Sequence, residues 1–168
     1  MNKDILTLSA LNRSDFDALF ARAAELKDRR RKGVTDRSLV GKTVGMIFEK
    51  PSTRTRISFE AAAAQLGATP VFMQAADTQL ARNEPIADTA RVLERYLDAL
   101  VLRTYSQQMQ EEFANIASIP IINALTDRYH PCQVLSDLMT VIECKGGYEG
   151  VKVAWIGDGN NMAHSWIN

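Results

Sequence analysis

Short apolar runs alternate with longer amphipathic stretches along most of the chain, and that rhythm is the strongest structural signal it carries. Thr43–Phe48 is rich in strand formers, and residues 71–74, 99–102, 119–124 and 151–156 repeat the pattern. Pro120 within the fourth run implies a strand's first residue or a sheet edge, because proline cannot donate to a ladder. Between these runs, apolar residues recur at helical spacing over 52–66, 107–117 and 131–144, with Gly67 and Gly146-Gly147 placed to end the first and last. Pro85 suits the first turn of a further helix carrying Ile86, Ala90, Leu93 and Leu97. An earlier helix carries Phe16, Leu19, Phe20, Ala23 and Leu26; Ser14 with Asp17 resembles its capping box, and Gly33 suits its stop.

Strands alternating with helices imply an α/β fold, a parallel sheet with helices on both faces. The stretch 146–150 is the only one that looks like a domain joint, and it divides residues 1–147 from 148–168. The run at 151–156 is then expected to be the first strand of a second α/β domain. Only 18 residues follow Gly150, too few for a domain, so the chain reads as truncated just past a strand-to-helix turn. No internal repeat or low-complexity segment is present.

Composition changes this picture little. Hydrophobic residues make up 46% and charged residues 24%, enough apolar material for a full core. The formal net charge is zero, which removes any general footprint for nucleic acid or an anionic membrane. The basic run 27–32 reads as a solvated helix end, where cations suit the dipole, in preference to a nucleic-acid patch. No apolar run approaches the length of a membrane span, and the opening Met1-Asn2-Lys3-Asp4 lacks a signal-peptide layout. Cys132 and Cys144 match no zinc or redox spacing, so a cytoplasmic setting is the simplest expectation.

Ligands of an open parallel sheet bind at the carboxyl ends of its strands. Polar residues gather at three such ends. Ser52-Thr53-Arg54-Thr55-Arg56 follows the first run and opens a helix. Free backbone N–H groups, hydroxyls and two arginines there suit a phosphate. The plainer reading is a serine cap followed by a polar first turn, but two arginines oppose the dipole unless an anion is near. Arg103-Thr104 ends the third run, where a charge must reach solvent or a site. His130 and Gln133 flank Pro131 at the start of a helix after the fourth run. Together they could offer donors to a carbonyl oxygen and an acceptor to an amide; alone, the histidine is more often a satisfied structural side chain. Gly157-Asp158-Gly159 lacks the spacing of a dinucleotide loop, and His164 has no partner pattern.

These residues in combination resemble the aspartate/ornithine carbamoyltransferase family. Phe48-Glu-Lys-Pro-Ser-Thr-Arg-Thr-Arg-Ile-Ser-Phe-Glu60 is similar to its carbamoyl-phosphate signature, and Pro85-Ile-Ala-Asp-Thr-Ala-Arg-Val-Leu93 and Leu102-Arg103-Thr104 match in order and spacing. His130-Pro131-Cys132-Gln133 and Gly157-Asp158-Gly159-Asn160-Asn161-Met162 resemble the ornithine branch. The resemblance implies that Ser52, Thr53, Arg54 and Thr55 hold phosphate, and that Arg103 bridges phosphate and carbonyl oxygen. It implies that His130 points at that oxygen, Gln133 at the carbamoyl nitrogen, and that Asn161 binds the amino-acid end of ornithine. It further implies a homotrimer in which Gln79 completes a neighbour's site, although Ala81 and Asn83 stand where glycines are common. No metal or cofactor is expected. Carbamoyl transfer to ornithine in arginine biosynthesis is the implied activity, with this chain as the donor-binding half, inactive alone. An aspartate-enzyme fragment and a non-catalytic carbamoyl-phosphate or phosphate-binding module are the alternatives.

Overall fold

The computed structural model describes residues 3–168, so Met1 and Asn2 of the opening stretch lie outside the described residues. Helix α1 spans Arg13–Arg31 and is followed by strand β1, Thr43–Phe48. Then come α2 (Thr53–Gln65), β2 (Thr69–Gln74), α3 (Ile86–Leu93), β3 (Ala99–Arg103) and α4 (Gln107–Ile116). The order closes with β4 (Ile121–Leu125), α5 (Pro131–Lys145) and α6 (Asn161–Ile167). The four strands are all parallel and lie in the order β2-β1-β3-β4.

Alternate side chains of the central strands enter different cores, as the period-2 geometry of a strand requires. Ile47, Leu100 and Leu102 join Ala90 of α3 and Phe113 of α4 on one face. Met46, Phe48 and Val101 join Ala63 of α2 on the other. The expected α/β sheet, covered on both faces, is therefore present. A third apolar cluster combines Phe16 and Leu19 of α1, Val134 of α5, and Met162 and Trp166 of α6. Among the described residues, no helix is long and apolar enough to cross a membrane.

Several boundaries differ from the sequence expectation. The capping box at α1 is Asn12 with Asp15 rather than Ser14 with Asp17; each side chain accepts the other residue's backbone N–H at 3.1 Å. Strand β2 starts two residues earlier than expected and takes in Pro70, which an edge strand tolerates. Pro85 is the N-cap of α3, one position before its first turn. Pro120 lies just outside β4, where its carbonyl still accepts Leu100 N–H at 2.9 Å. Ile5 pairs with Ile122 beside β4, so that edge is partly covered.

The largest difference concerns residues 151–156, which form no strand. A strand exists through its ladder, and among the described residues none pairs with this run. The basic end of α1 is solvated and ion-paired as expected, with Lys32 on Asp28 at 2.7 Å and Arg29 on Asp36 at 3.3 Å.

Candidate anion site at the strand carboxyl ends

From β1 the chain crosses to β2 on one side and later to β3 on the other. The carboxyl ends of β1 and β3 therefore flank the switch point where a doubly wound sheet opens a crevice. Phe48 and Arg103 are register partners at that position. The polar clusters after β1, β3 and β4 thus converge, as the sequence pattern implied.

Ser52 caps α2, its Oγ accepting Thr55 N–H at 3.3 Å, so the plain capping role is realised. Thr53 and Arg54 are exposed, and Arg54 has no hydrogen bond or ion pair among the described residues. Arg56, read above as a second anion fork, is engaged elsewhere. Its Nε pairs with Glu60 at 3.0 Å and its guanidinium lies 3.6 Å from the Phe72 ring centroid. Of the two arginines in this turn, only Arg54 is uncommitted.

Arg103 emerges from the buried end of β3 and donates to Thr55 Oγ1 at 3.4 Å, while its Nε is buried with no partner. Burial lowers its pKa from the ordinary value, yet guanidinium remains charged at neutral pH. A buried N–H without an acceptor is costly, and an anionic oxygen would satisfy it. His130 shows the same condition, since its Nδ1 is buried without a partner. Burial, reinforced by the Arg103 charge and opposed by Asp137, lowers the His130 pKa to about 4. The imidazole is therefore neutral at pH 7, and can donate one N–H without adding charge.

Gln133 is exposed on the first turn of α5, and its Nε2 donates to Asp137 at 2.9 Å. That contact occupies the amide nitrogen and leaves the carbonyl oxygen free to accept. Asn161 Nδ2 donates to Thr126 O at 2.9 Å, which ties it to the loop before His130. Gln79 is exposed at the start of a short 3-10 turn, Gln79–Arg82, which ends at Asn83 with φ 61°. That left-handed backbone is where the sequence has asparagine in place of a common glycine, and asparagine adopts it with least penalty among the other residues. Among the described residues, no cluster of three or more His, Cys, Asp or Glu side chains is placed to hold a metal ion.

Two supporting networks were not read from the sequence. Lys50 forms an ion pair with Asp127 and sits 4.3 Å from the Tyr105 ring centroid, and Glu49 accepts Tyr105 N–H at 2.7 Å. These contacts lace together the three loops that carry the site. Beneath them, β3 and β4 slip register between Leu102 and Arg103, a bulge beside the site. Buried Gln110 donates to the carbonyls of Leu102 at 3.1 Å and Leu125 at 3.3 Å. Gln107 accepts from Thr126 Oγ1 at 2.9 Å and Asn123 Nδ2 at 3.3 Å. The available signal was glutamine at helical spacing with Phe113, on the face of 107–117 that turns to the core.

Comparison with known proteins adds an independent line. The family model for the aspartate/ornithine carbamoyltransferase carbamoyl-P binding domain matches residues 3–143. An ornithine carbamoyltransferase of Geobacter sulfurreducens is 55% identical over 99% of this chain and 55% of its own length. The Bacillus subtilis protein of that name is 55% identical over 97% of this chain and 50% of its own. The chain thus spans about half the length of these curated relatives. The solved ornithine carbamoyltransferase of Pyrococcus furiosus superposes with a TM-score of 0.94 at 48% identity, over 98% of this chain and 52% of its own. An aspartate transcarbamoylase of Trypanosoma cruzi, solved with carbamoyl aspartate and phosphate, gives 0.81 at 31% identity, over 88% of this chain and 48% of its own.

Proposed function

The chain belongs to the aspartate/ornithine carbamoyltransferase family, and from that premise we propose that it is the donor-binding half of an ornithine carbamoyltransferase. Residues 1–147 form the carbamoyl-phosphate domain, and 148–168 open the domain that receives ornithine. The observation that carries this reading is the pair of buried, unpartnered side-chain nitrogens, Arg103 Nε and His130 Nδ1, beside the N-terminus of α2 with its uncommitted Arg54.

Phosphate sits against Ser52, Thr53, Arg54 and Thr55, where the dipole of α2 and the Arg54 charge favour it. Arg103 reaches both phosphate and the carbamoyl oxygen. Neutral His130 donates to the same oxygen, and the free carbonyl of Gln133 accepts from the carbamoyl nitrogen. The uncharged side-chain amine of ornithine attacks the carbamoyl carbon, forming a C–N bond. The oxyanion that develops is met by Arg103 and His130. The C–O bond to phosphate then breaks, and the leaving phosphate takes the amine proton. Asn161 holds the amino-acid end of ornithine through the atoms not used on Thr126. Gln79, exposed on its turn, serves the site of a neighbouring subunit in a homotrimer. Ornithine is favoured over aspartate by the 55% identity to named ornithine enzymes. The setting is cytoplasmic and the product, citrulline, leads towards arginine.

Titration calorimetry of this chain with carbamoyl phosphate, beside a citrulline-forming assay, tests the reading. Weak binding that Arg103→Ala abolishes, with no citrulline formed, is expected, because an open site leaves water around each charged contact. Citrulline formed by the chain alone would refute its being a half-site. Unaltered binding in Arg103→Ala would refute the assignment of the anion site.

A further inference from the structure

His130 is placed by residues that lie beyond the domain joint. Three polar contacts run from α6 to the loop 126–130. Asn161 Nδ2 donates to Thr126 O at 2.9 Å, and His164 Nδ1 lies 3.2 Å from Arg128 O. The third is the shortest: His130 N–H donates to Ser165 Oγ at 2.7 Å. Ser165 Oγ–H in turn donates to Asn161 O at 2.7 Å, so its hydroxyl is committed in both directions. Ser165 is 1% exposed, and α6 is seated by Met162 and Trp166 in the cluster with Leu8, Leu11 and Val134.

His130 is tied to α5 through its carbonyl, which accepts Gln133 N–H at 3.2 Å and Val134 N–H at 3.5 Å, but neither bond holds it towards α6. It is the N-cap of α5 but makes no side-chain capping bond, and its ring Nδ1 has no partner. The backbone N–H is thus its link to α6, and the acceptor of that link is a single buried hydroxyl. We propose that Ser165 is a positioning residue for His130, so that the donor to the carbamoyl oxygen is set by the helix that follows the joint. The proposal rests on the reading of His130 given above. Its consequence is that α6, whose first residue Asn161 is assigned to the acceptor, and the donor site share one hydrogen-bonded chain.

The test uses Ser165→Ala and Ser165→Thr in this chain, with Leu97→Ala as a control that loosens the core at the opposite end of β3. His130 and His164 are the only histidines, so the imidazole titration can be followed by NMR and assigned with His164→Asn. Without the Ser165 acceptor the buried N–H seeks water and the ring becomes better hydrated. Its titration, held down by burial and by Arg103 against Asp137, is expected to rise by about one pH unit. Carbamoyl phosphate should bind about 10-fold more weakly, as for one lost charge-free donor, with inorganic phosphate unchanged. Ser165→Thr should restore both, and Leu97→Ala should move neither. An unmoved titration in folded Ser165→Ala, or the same shift in Leu97→Ala, would overturn the positioning role. If the unsubstituted chain shows no preference for carbamoyl phosphate over phosphate, the functional reading fails instead, and the titration alone decides on Ser165.

Discussion

Thr43–Phe48 and residues 151–156 are both short apolar runs followed by a polar turn that opens a helix, and they meet opposite fates. The first lies between two parallel neighbours, and its Ile47 is 0% exposed. The second pairs with nothing among the described residues, and its Ile156 is 96% exposed. Local sequence gives a run its capacity to be a strand; partners elsewhere in the chain decide whether it becomes one. The difference extends to function. The turn after β1 belongs to the proposed site because β1 and β3 hold it against Arg103, which donates to Thr55 Oγ1. Among the described residues, the turn after residue 156 meets the rest of the molecule through α6.

That contrast is broken most forcefully by removing a side chain from β1. Phe48 is 1% exposed and meets Phe72 edge-on with ring centroids 5.4 Å apart. Phe48→Ala is expected to cost about 3–5 kcal/mol of unfolding free energy, from lost burial and the cavity left behind. Urea denaturation measures it. Because so large a loss approaches the stability of a small domain, Phe48→Leu provides a folded comparison at about 1 kcal/mol. A cost below about 1 kcal/mol for the alanine variant would mean that β1 is not the core of the sheet.

The fold was legible where the signal is local and repeated. Four strands and the helices between them follow from period, glycine stops and the position of Pro131. The candidate site was legible as clusters at strand ends, since topology alone brings such ends together. What stayed hidden depends on pairs distant in sequence. Arg56 looked like an anion ligand, but Phe72 and Glu60 hold it. Ser165 carries no local signal, because its partner lies 35 residues earlier. The capping box was misplaced by two residues, since Asn12 and Ser14 are equally good caps by type and only the backbone chooses. The resemblance supplied roles for individual residues that periodicity could not.

A second prediction probes the well-tied side of the comparison through pH. Burial and the Arg103 charge put the folded His130 pKa at about 4, against 6.5 for an ordinary histidine. Below pH 6.5 the unfolded chain therefore takes up a proton that the folded chain refuses until about pH 4. Stability contributed by neutral His130 is full above that window and is lost as pH falls through it. Allowing for solvent screening at the partly exposed ring, the loss between about pH 7 and 5 should be about 1–2 kcal/mol. Depressed carboxylates such as Asp36 and Asp98 add acid sensitivity of their own at lower pH. The measurement is thus the difference between the unsubstituted chain and His130→Gln, by urea midpoints at both pH values. Equal pH dependence in the two proteins would mean that His130 is solvated and its loop is not fastened as described.

The smallest effect is expected on the loosely held side. Val153, Trp155 and Ile156 are exposed by 57%, 45% and 96%, so the run buries little apolar surface. Among the described residues its polar contacts are local: Val151 N–H reaches Tyr148 O at 3.4 Å and Trp155 Nε1 reaches Asp158 O at 3.0 Å. The flanks are better secured. On one side Tyr148 donates to Asp17 at 2.8 Å, and on the other Asn160 caps α6, accepting Met162 N–H at 2.9 Å. Ile156→Ser should therefore leave the urea midpoint within about 0.5 kcal/mol of the unsubstituted chain, as for an exposed position without partners. Apolar side chains presented together to water also favour self-association, so the same variant should lower any concentration-dependent association seen by sedimentation. A loss of more than about 1 kcal/mol at a concentration where the chain is monomeric would show that the run packs against the sheet domain after all. The two apolar runs would then differ in their partners, and no longer in whether they have any.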